Sequence, residues 1–251
     1  MSGHSKWSTI KHKKAASDAK KGKEFTRASN LISLAARGGG DPAMNPSLAM
    51  AIDKAKSVNM PRANIERAIK KGTGELGGAA IEETVYEGYG PGGIAILIET
   101  ASDNKNRTVS EIRATLTKHG GNMASSGAVA YNFEHRGQIE ISLKGQTKNE
   151  EEIEEAVIDS GASDFEIETD RVIVYTEPKD LFAVRNSVES AGIKIEAAEL
   201  TYVATNEVPV TELEKAEKLI KLIDTLEDLD DVVNVHANAD FSRKVLDDLS
   251  R

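Results

Sequence analysis

The spacing of apolar residues predicts a helical first third of the chain. Between residues 9 and 36, apolar side chains recur every three or four positions, as they do on one face of an α-helix. Gly22 interrupts this stretch and predicts a break between two helices. Asn45, followed by proline, predicts the start of a further helix, and Pro61 predicts the start of the next. Residues 73–80 predict a linker, so the chain ahead of them is expected to form a small all-helical bundle.

After the linker, the apolar pattern changes from helical spacing to short β-branched runs. Residues 85–89 and 94–100 predict two strands of a hairpin around a Gly-Pro-Gly-Gly turn. A helix capped near Asp103 or Asn104 follows, and residues 128–133 predict another strand. This region therefore predicts part of an α+β domain.

Residues 137–205 predict the order strand–helix–strand–strand–helix–strand, which is typical of a ferredoxin-like fold. The predicted strands span residues 138–143, 165–169, 172–176 and 193–203, and the predicted helices span residues 150–160 and 179–191. Residues 211–251 supply one helix and a strand at 231–237, which do not make a domain alone. They are expected to complete the sheet begun in residues 81–134, which makes the ferredoxin-like unit an insertion.

The predicted fold class is α+β, with an N-terminal all-helical bundle followed by two α+β domains, one ferredoxin-like and inserted in the other. A chain of 251 residues is long enough for two or three compact domains. The expected domains are a helical domain with its linker at residues 1–80, a discontinuous α+β domain at residues 81–134 plus 206–251, and the inserted ferredoxin-like domain at residues 135–205.

Charge is distributed unevenly along this chain. The formal net charge is −9, but residues 1–71 carry 15 Lys and Arg against five Asp and Glu, whereas residues 72–251 carry 17 against 36. A basic segment attracts phosphate and an acidic body repels it, so the two together orient a polyanion onto one end of the molecule. The charge pattern therefore predicts that the helical end binds nucleic acid.

Composition excludes several classes of protein. The chain has no cysteine, which excludes disulfides, thiolate catalysis and cysteine-zinc sites and fits a reducing compartment. Its longest apolar run, residues 94–98, is too short to span a bilayer, and the N-terminus has no apolar core of a secretory signal. A cytoplasmic location without membrane contact is expected.

Eight cations lie within the first 27 residues and are opposed there only by Asp18 and Glu24. Phosphate binding needs mobile cations along one surface, and its affinity comes from counterion release. A solvated helix face is the alternative, but like charges at helical spacing repel one another. The predicted phosphate contacts are Lys6, Lys11, Lys13, Lys14, Lys20, Lys21, Lys23 and Arg27.

Five further residues complete the predicted interface. His4, Trp7 and His12 lie between the cations, where Trp7 either stacks on an unpaired base or packs residues 1–8, which are expected to form an arm, against the bundle. Asn104 and Arg107, near a predicted helix start, form a second and weaker contact for a phosphate. The other interpretation of this turn is a structural helix cap.

No motif predicts catalysis, a cofactor or a metal. The spacing Gly88-x-Gly90-x-x-Gly93 matches a dinucleotide fingerprint, but Pro91 interrupts it and a strand follows where the fingerprint needs a helix. The carboxylates within residues 150–155 suit the first turns of a helix, and the five histidines share no ligand spacing. Neither an enzyme nor a small-molecule substrate is expected.

Specific motifs occur along the chain, most densely in residues 1–134. They are Gly3-His4-Ser5-Lys6-Trp7, Lys13-Lys14-Ala15-Ala16, Asp18-Ala19-Lys20-Lys21-Gly22-Lys23, Gly39-Gly40-Asp41-Pro42 with Asn45-Pro46, Tyr86-Glu87-Gly88-Tyr89-Gly90, Ser102-Asp103-Asn104 with Asn106-Arg107-Thr108, and Gly120-Gly121-Asn122. In these motifs the chain resembles the YebC/PmpR family of probable transcriptional regulatory proteins, which is related to mitochondrial translational activators.

The resemblance implies three domains, the third inserted in the second, and no catalysis. It also implies binding to DNA in a regulatory role, or to ribosomal RNA as a translation factor that aids difficult stretches such as proline runs. The chain departs from the family at Asn30-Leu31, where an Arg-Glu pair is usual, and around Ser47 and Ala49, where arginines are frequent. These differences reduce the number of basic residues on the bundle surface, so most nucleic-acid binding is expected on residues 4–27.

The expected function is that of a nucleic-acid-binding regulator of gene expression, acting as a DNA-binding transcriptional regulatory protein. Few arginines and no recognition-helix signature favour backbone or shape readout, which suits structured RNA, whereas the resemblance favours DNA-linked transcription control. One alternative is therefore a ribosome-associated translation factor that binds ribosomal RNA. The other is a protein-interaction module, in which the acidic body docks a partner without nucleic-acid contact.

Overall fold

A computed structural model describes residues 18–249 of the chain, with side chains from Gly22 onward. Contacts divide the chain into two compact units, of which one is residues 134–203 and the other combines the chain on either side of them. Across residues 18–249, no helix is long and apolar enough to cross a membrane. The division into three domains stays a prediction, and the two units are described separately.

The first described elements form the predicted helical bundle. Helices α1 (Asp18–Ala36), α2 (Pro46–Ser57) and α3 (Arg62–Gly72) pack on one another. Apolar residues at helical spacing meet in their shared core, because burial removes apolar area from water. The buried members of this core are Ala28, Ile32, Ala36, Leu48, Ile52, Ala55, Met60, Ile65 and Ala68.

Helix α1 runs without interruption through Gly22, so the predicted break at this glycine is wrong. A glycine inside a helix costs about 1 kcal/mol relative to alanine, which packing elsewhere along a helix easily outweighs. Here α1 packs on two sides, against the bundle and against the sheet described below. Tertiary contacts therefore override the local preference of one residue.

Asn45 begins α2 as predicted and also fixes the preceding loop. Its side-chain oxygen accepts a hydrogen bond from the backbone N–H of Leu48 at 3.1 Å, which caps the helix. Its side-chain nitrogen donates to the carbonyl oxygens of Ala35 and Gly39, both at 2.8 Å. One buried amide thus ties the end of α1 to the start of α2.

A predicted hairpin starts the sheet of this unit. Strand β1 (Glu82–Tyr89) pairs antiparallel with β2 (Ala95–Ser102), and helix α4 (Lys105–Lys118) and the short strand β3 (Asn122–Met123) follow. Gly92 in the turn has a φ of 79°, a conformation that glycine adopts without steric cost. The hairpin and the helix are therefore confirmed.

The unit of residues 134–203 has the ferredoxin-like order that the sequence predicts. Its elements are β4 (Phe133–Ser142), α5 (Glu150–Asp159), β5 (Asp164–Ile167), β6 (Arg171–Thr176), α6 (Leu181–Ser190) and β7 (Ala197–Ala204). The sheet order is β5-β6-β4-β7, with β4 antiparallel to the central strand β6. The buried faces of the strands and of α5 and α6 supply its core.

The strand predicted at residues 128–133 is wrong. Residues Ala130–Asn132 form a short 3-10 turn instead. The buried carboxylate of Glu87 accepts backbone N–H groups of Val129 and Ala130, at 2.7 and 3.0 Å. These donors are therefore not available to a neighbouring strand. Burial alone would raise the pKa of Glu87, but these hydrogen bonds outweigh the effect of burial and hold the pKa below its ordinary value.

The C-terminal segment returns to the first sheet, as predicted. Its elements are β8 (Val208–Val210), α7 (Leu213–Glu227), β9 (Val232–Ala237), β10 (Ala239–Phe241) and α8 (Arg243–Leu249). Strand β9 pairs antiparallel with β2, which gives the order β3-β1-β2-β9, and β8 pairs parallel with β10. Helices α4 and α7 contribute to the buried core of this sheet. Residues 134–203 therefore lie, along the chain, between two segments that share one core.

Close packing of α3 on α1 predicts opposite effects for two glycine substitutions. A Cβ atom at Gly72 would lie 2.3 Å from the carbonyl oxygen of Ser33 and 2.7 Å from the Cβ of Ala36, so the helices must separate. We expect Gly72→Ala to lower the free energy of unfolding by about 1–3 kcal/mol. At Gly22 a Cβ atom meets nothing within 4 Å, so Gly22→Ala is expected to raise it by about 0.5–1 kcal/mol.

Urea unfolding followed by circular dichroism measures both glycine variants on the same scale. A neutral Gly72→Ala variant would show that α3 does not approach α1 as closely as the structure has it.

Candidate nucleic-acid interface

Part of the predicted interface lies outside the described residues. These members are His4, Lys6, Trp7, Lys11, His12, Lys13 and Lys14. Lys20 and Lys21 lie on the first turns of α1, where the structure describes the backbone alone. The contacts predicted for these nine residues stay predictions.

Lys23 is the first predicted contact whose side chain the structure describes. Its Nζ atom lies 3.4 Å from Oδ1 of Asp228, and the two side chains are 41% and 56% exposed. Exposed ion pairs of this kind contribute only about 0–1 kcal/mol, because water and salt screen them. Lys23 therefore remains accessible to a competing anion.

Arg27 has a different role from the predicted phosphate contact. Its Nε atom donates to the carbonyl oxygen of Val232 at 3.0 Å, and its Nη2 atom donates to the carbonyl oxygen of Glu227. Burial lowers the pKa of the guanidinium, and the charges of Glu24 and Asp228 oppose that shift. Because these hydrogens are donated to carbonyls, Arg27 holds α1 against the sheet, and the phosphate contact expected of it stays a prediction.

The other residues on this side of α1 also donate to backbone carbonyls. The Nδ2 atom of Asn30 donates to Ala101 at 3.1 Å, and Nη1 of Arg37 donates to Ile81 at 3.1 Å. Leu31 and Leu34 lie between these polar contacts and pack on an apolar group of Ile81, Ala101 and Val233. One face of α1 is thus committed to the sheet rather than to a ligand.

The turn at residues 103–107 departs from the prediction in the same way. The side-chain oxygen of Asn104 accepts the backbone N–H of Arg107 at 3.1 Å and caps α4. Two bonds of 2.8 and 3.1 Å join the Arg107 guanidinium to the two carboxylate oxygens of Asp231, and a longer one of 3.4 Å reaches Asp103. Asn104 and Arg107 thus form a structural clamp, and the second phosphate contact expected of them stays a prediction.

Asp231 is the buried centre of this clamp. Besides Arg107, it accepts a bond of 2.7 Å from the hydroxyl of Thr108. Burial raises the pKa of Asp231, but hydrogen bonds from Arg107, Thr108 and Ser102 outweigh this and hold the pKa below its ordinary value. The carboxylate thus stays ionised at neutral pH and joins β2, α4 and the start of β9.

The outer face of α3 carries cations that the sequence analysis did not single out. Arg67 and Lys70 are exposed, lie three positions apart, and form no ion pair with any residue in the described ranges. Their neighbours are paired, Arg62 with Glu66 at 2.8 Å and Lys71 with Asp103 at 3.4 Å. The signal was present in the sequence, since the buried positions of α3 place Arg67 and Lys70 opposite the core.

Two family models cover nearly the whole chain. Residues 5–75 match the model described as "TACO1/YebC protein N-terminal domain", and residues 81–239 match "TACO1/YebC second and third domain". The chain belongs to the TACO1/YebC family. The resemblance inferred from the motifs is therefore confirmed.

Full-length relatives support this TACO1/YebC assignment. A protein of Acidithiobacillus ferrooxidans is 54% identical over 243 residues, which are 96% of each chain, and one of Halothermothrix orenii is 48% identical over 251 residues, which are 100% of this chain and 99% of the relative. Each is named "Probable transcriptional regulatory protein". The crystal structure of a conserved hypothetical protein from Aquifex aeolicus is 46% identical, with a TM-score of 0.83 over 90% of this chain and 93% of that one.

Metal chemistry finds no support in the described part of this TACO1/YebC chain. Across residues 18–249, no three His, Asp or Glu side chains come together in a way that would hold a metal ion. The arrangement that does occur places exposed Arg67 and Lys70 on α3 and ion-paired Lys23 on α1, while other side chains hold α1 and α4 in place.

The clamp around Asp231 predicts a pH-dependent loss of stability. Asp231→Asn leaves Arg107 without its anionic partner, and we expect a loss of about 1–3 kcal/mol at pH 7. Because the folded pKa is depressed, this stability is present above the unfolded pKa of about 3.9 and is lost as the pH falls below it. Urea unfolding from pH 7 to pH 3 should therefore show the wild-type and variant curves converging in acid.

Asp247→Asn is the matched control, because Asp247 is exposed on α8. Its effect should stay within about 0.5 kcal/mol at every pH. A gap between wild type and Asp231→Asn that is the same at pH 3 and pH 7 would contradict the ionised clamp.

Proposed function

We propose that this TACO1/YebC protein is a nucleic-acid-binding regulator of gene expression that acts as a DNA-binding transcriptional regulatory protein. The observation that carries the proposal is the charge division, since residues 1–71 hold a large excess of cations and the remainder a larger excess of acids. The names of its close relatives support a regulatory role. A polyanion is attracted to the helical end and repelled by the rest.

Phosphate contact is assigned to cations of the helical end. The contributors are the predicted residues Lys6, Lys11, Lys13, Lys14, Lys20, Lys21 and Lys23, with His4, Trp7 and His12 between them and with Arg67 and Lys70 added from α3. Arg27, Asn104 and Arg107 are left out, because their polar atoms hold the protein's own structure. Lysine contacts to phosphate bind without reading base sequence.

The arrangement of arginines favours a second candidate, a translation factor that binds ribosomal RNA at the ribosome. Base readout in the major groove relies on arginine more than on any other residue. In the bundle, Arg27 and Arg37 donate to carbonyls and Arg62 pairs with Glu66, which leaves Arg67 without a partner in the described ranges. Contact through backbone and shape suits structured RNA at least as well as a defined DNA sequence.

Crosslinking in cells, followed by sequencing of the attached nucleic acid, separates the two candidates. Promoter DNA among the attached fragments supports transcriptional regulation, and ribosomal RNA supports the translation factor. Recovery of neither, with normal function retained by a Lys11→Glu, Lys13→Glu, Lys14→Glu variant, supports the third possibility of a protein-interaction module.

Electrostatic binding predicts a steep salt dependence. If about six phosphates are neutralised on duplex DNA, the logarithm of the affinity should fall with the logarithm of salt concentration with a slope near −5. The Lys11→Glu, Lys13→Glu, Lys14→Glu variant should flatten this slope and weaken binding. Fluorescence anisotropy with a labelled duplex and a labelled RNA hairpin measures both, and a flat response of the wild-type protein contradicts the mechanism.

The cations of α3 predict a smaller change of the same kind. Replacing Arg67 and Lys70 by glutamine removes two candidate phosphate contacts, so the slope should become shallower by about 2 and binding several-fold weaker. The control replaces Arg113 and Lys118 of α4 by glutamine, which changes the net charge equally at two other exposed positions. Equal effects of the two double variants would show that only net charge matters and that α3 makes no contact.

A further inference from the structure

The C-terminal end of α7 carries acids where the physics of a helix disfavours them. Asp224 and Glu227 lie in its last turn, Asp228 is the C-cap residue and Asp230 follows, and this turn has no basic residue. The carbonyl end of a helix has a partial negative charge, so carboxylates there are destabilising. A local arrangement that costs stability needs a compensating contact elsewhere in the molecule.

The compensating contact comes from the basic half of α1. Lys23 forms its ion pair with Asp228, and Arg27 donates to the carbonyl oxygen of Glu227 at the end of the helix. The negative end of α7 thus faces the helix on which the predicted phosphate contacts Lys20, Lys21 and Lys23 are placed.

Carboxylate and phosphate oxygens compete for the same ammonium groups. We propose that the acidic end of α7, formed by Asp224, Asp228 and Asp230, is an intramolecular competitor of nucleic acid for Lys23 in the N-terminal half of α1. The inference rests on the proposed function and adds to it a device that sets the affinity. Nucleic acid takes over Lys23 only by displacing the carboxylate of Asp228.

The two basic contacts differ in how readily they exchange. The Lys23–Asp228 pair is open to solvent on both sides, so an incoming phosphate reaches it directly. Arg27 is partly buried and bound to two backbone carbonyls, so it stays in place. Helix α1 therefore keeps its position on the sheet while Lys23 changes partner. A polyanion that offers several phosphates at once displaces the carboxylates better than a single phosphate ion.

Neutralising the acidic end tests the competition. The variant Asp224→Asn, Asp228→Asn, Asp230→Asn of the full chain keeps side-chain size and removes three charges. At low salt it should bind a labelled DNA duplex or RNA hairpin about fivefold more tightly than the wild-type protein, and the gain should shrink as salt rises. Its stability in urea should match or exceed that of the wild-type protein, because the helix end loses unfavourable charges.

The matched control is Glu151→Gln, Glu155→Gln, Asp159→Asn, which removes three exposed charges from α5 in the other compact unit. A clearly larger gain for the α7 variant supports competition at α1. Equal gains show an effect of net charge alone and overturn the inference while the proposed function stands. If none of the three proteins binds either probe at low salt, the proposed function fails and the inference fails with it.

Discussion

Helix α1 is the element on which the rest of this structure depends, because it is buried on two sides by different partners. One side contributes Ala28, Ile32 and Ala36 to the core of the bundle. The other side places Leu31 and Leu34 on the sheet, between polar side chains that donate to backbone carbonyls. Those carbonyls lie at the ends of strands and helices, where backbone carbonyl groups can accept hydrogen bonds from other parts of the chain. The bundle and the sheet are thus joined by one helix rather than by a flexible linker.

This double burial decides which cations are available for function. A guanidinium offers several donors in a fixed geometry, so it is the better group for bridging carbonyls across an interface. Arg27 and Arg37 are used in that way, and Arg107 holds the buried Asp231. Lys23 and Lys70 keep their ammonium groups accessible to solvent, where a flexible ammonium suits phosphate contacts. The different roles of arginine and lysine therefore follow from the architecture. They favour contacts to the nucleic-acid backbone over contacts to base edges.

Local patterns predict most of the elements but little of what the side chains do. The Asn45 cap and the hairpin depend on neighbours in sequence, so spacing alone finds them. The role of Arg27 depends on Glu227, which is 200 positions away, and that of Arg107 depends on Asp231, 124 positions away. No periodicity carries such information. The uninterrupted helix at Gly22 and the missing strand at residues 128–133 have the same origin, because distant contacts override local preference.

The fixed position of α1 also explains how an acidic protein can direct a polyanion. If the basic residues lay on a mobile arm alone, acidic residues elsewhere would lower the affinity for nucleic acid without fixing its orientation on the protein. Here the hydrogen bonds of Arg27, Asn30 and Arg37 hold the bundle and the sheet in one unit, so the acidic end of α7 keeps a set position beside α1. A nucleic acid that approaches α1 from that side meets carboxylates at close range, whereas one that approaches over α3 meets Arg67 and Lys70. Under the proposed function, repulsion beside the end of α7 and attraction at α3 together favour an approach of the phosphate backbone over α3, which neither charge group provides alone.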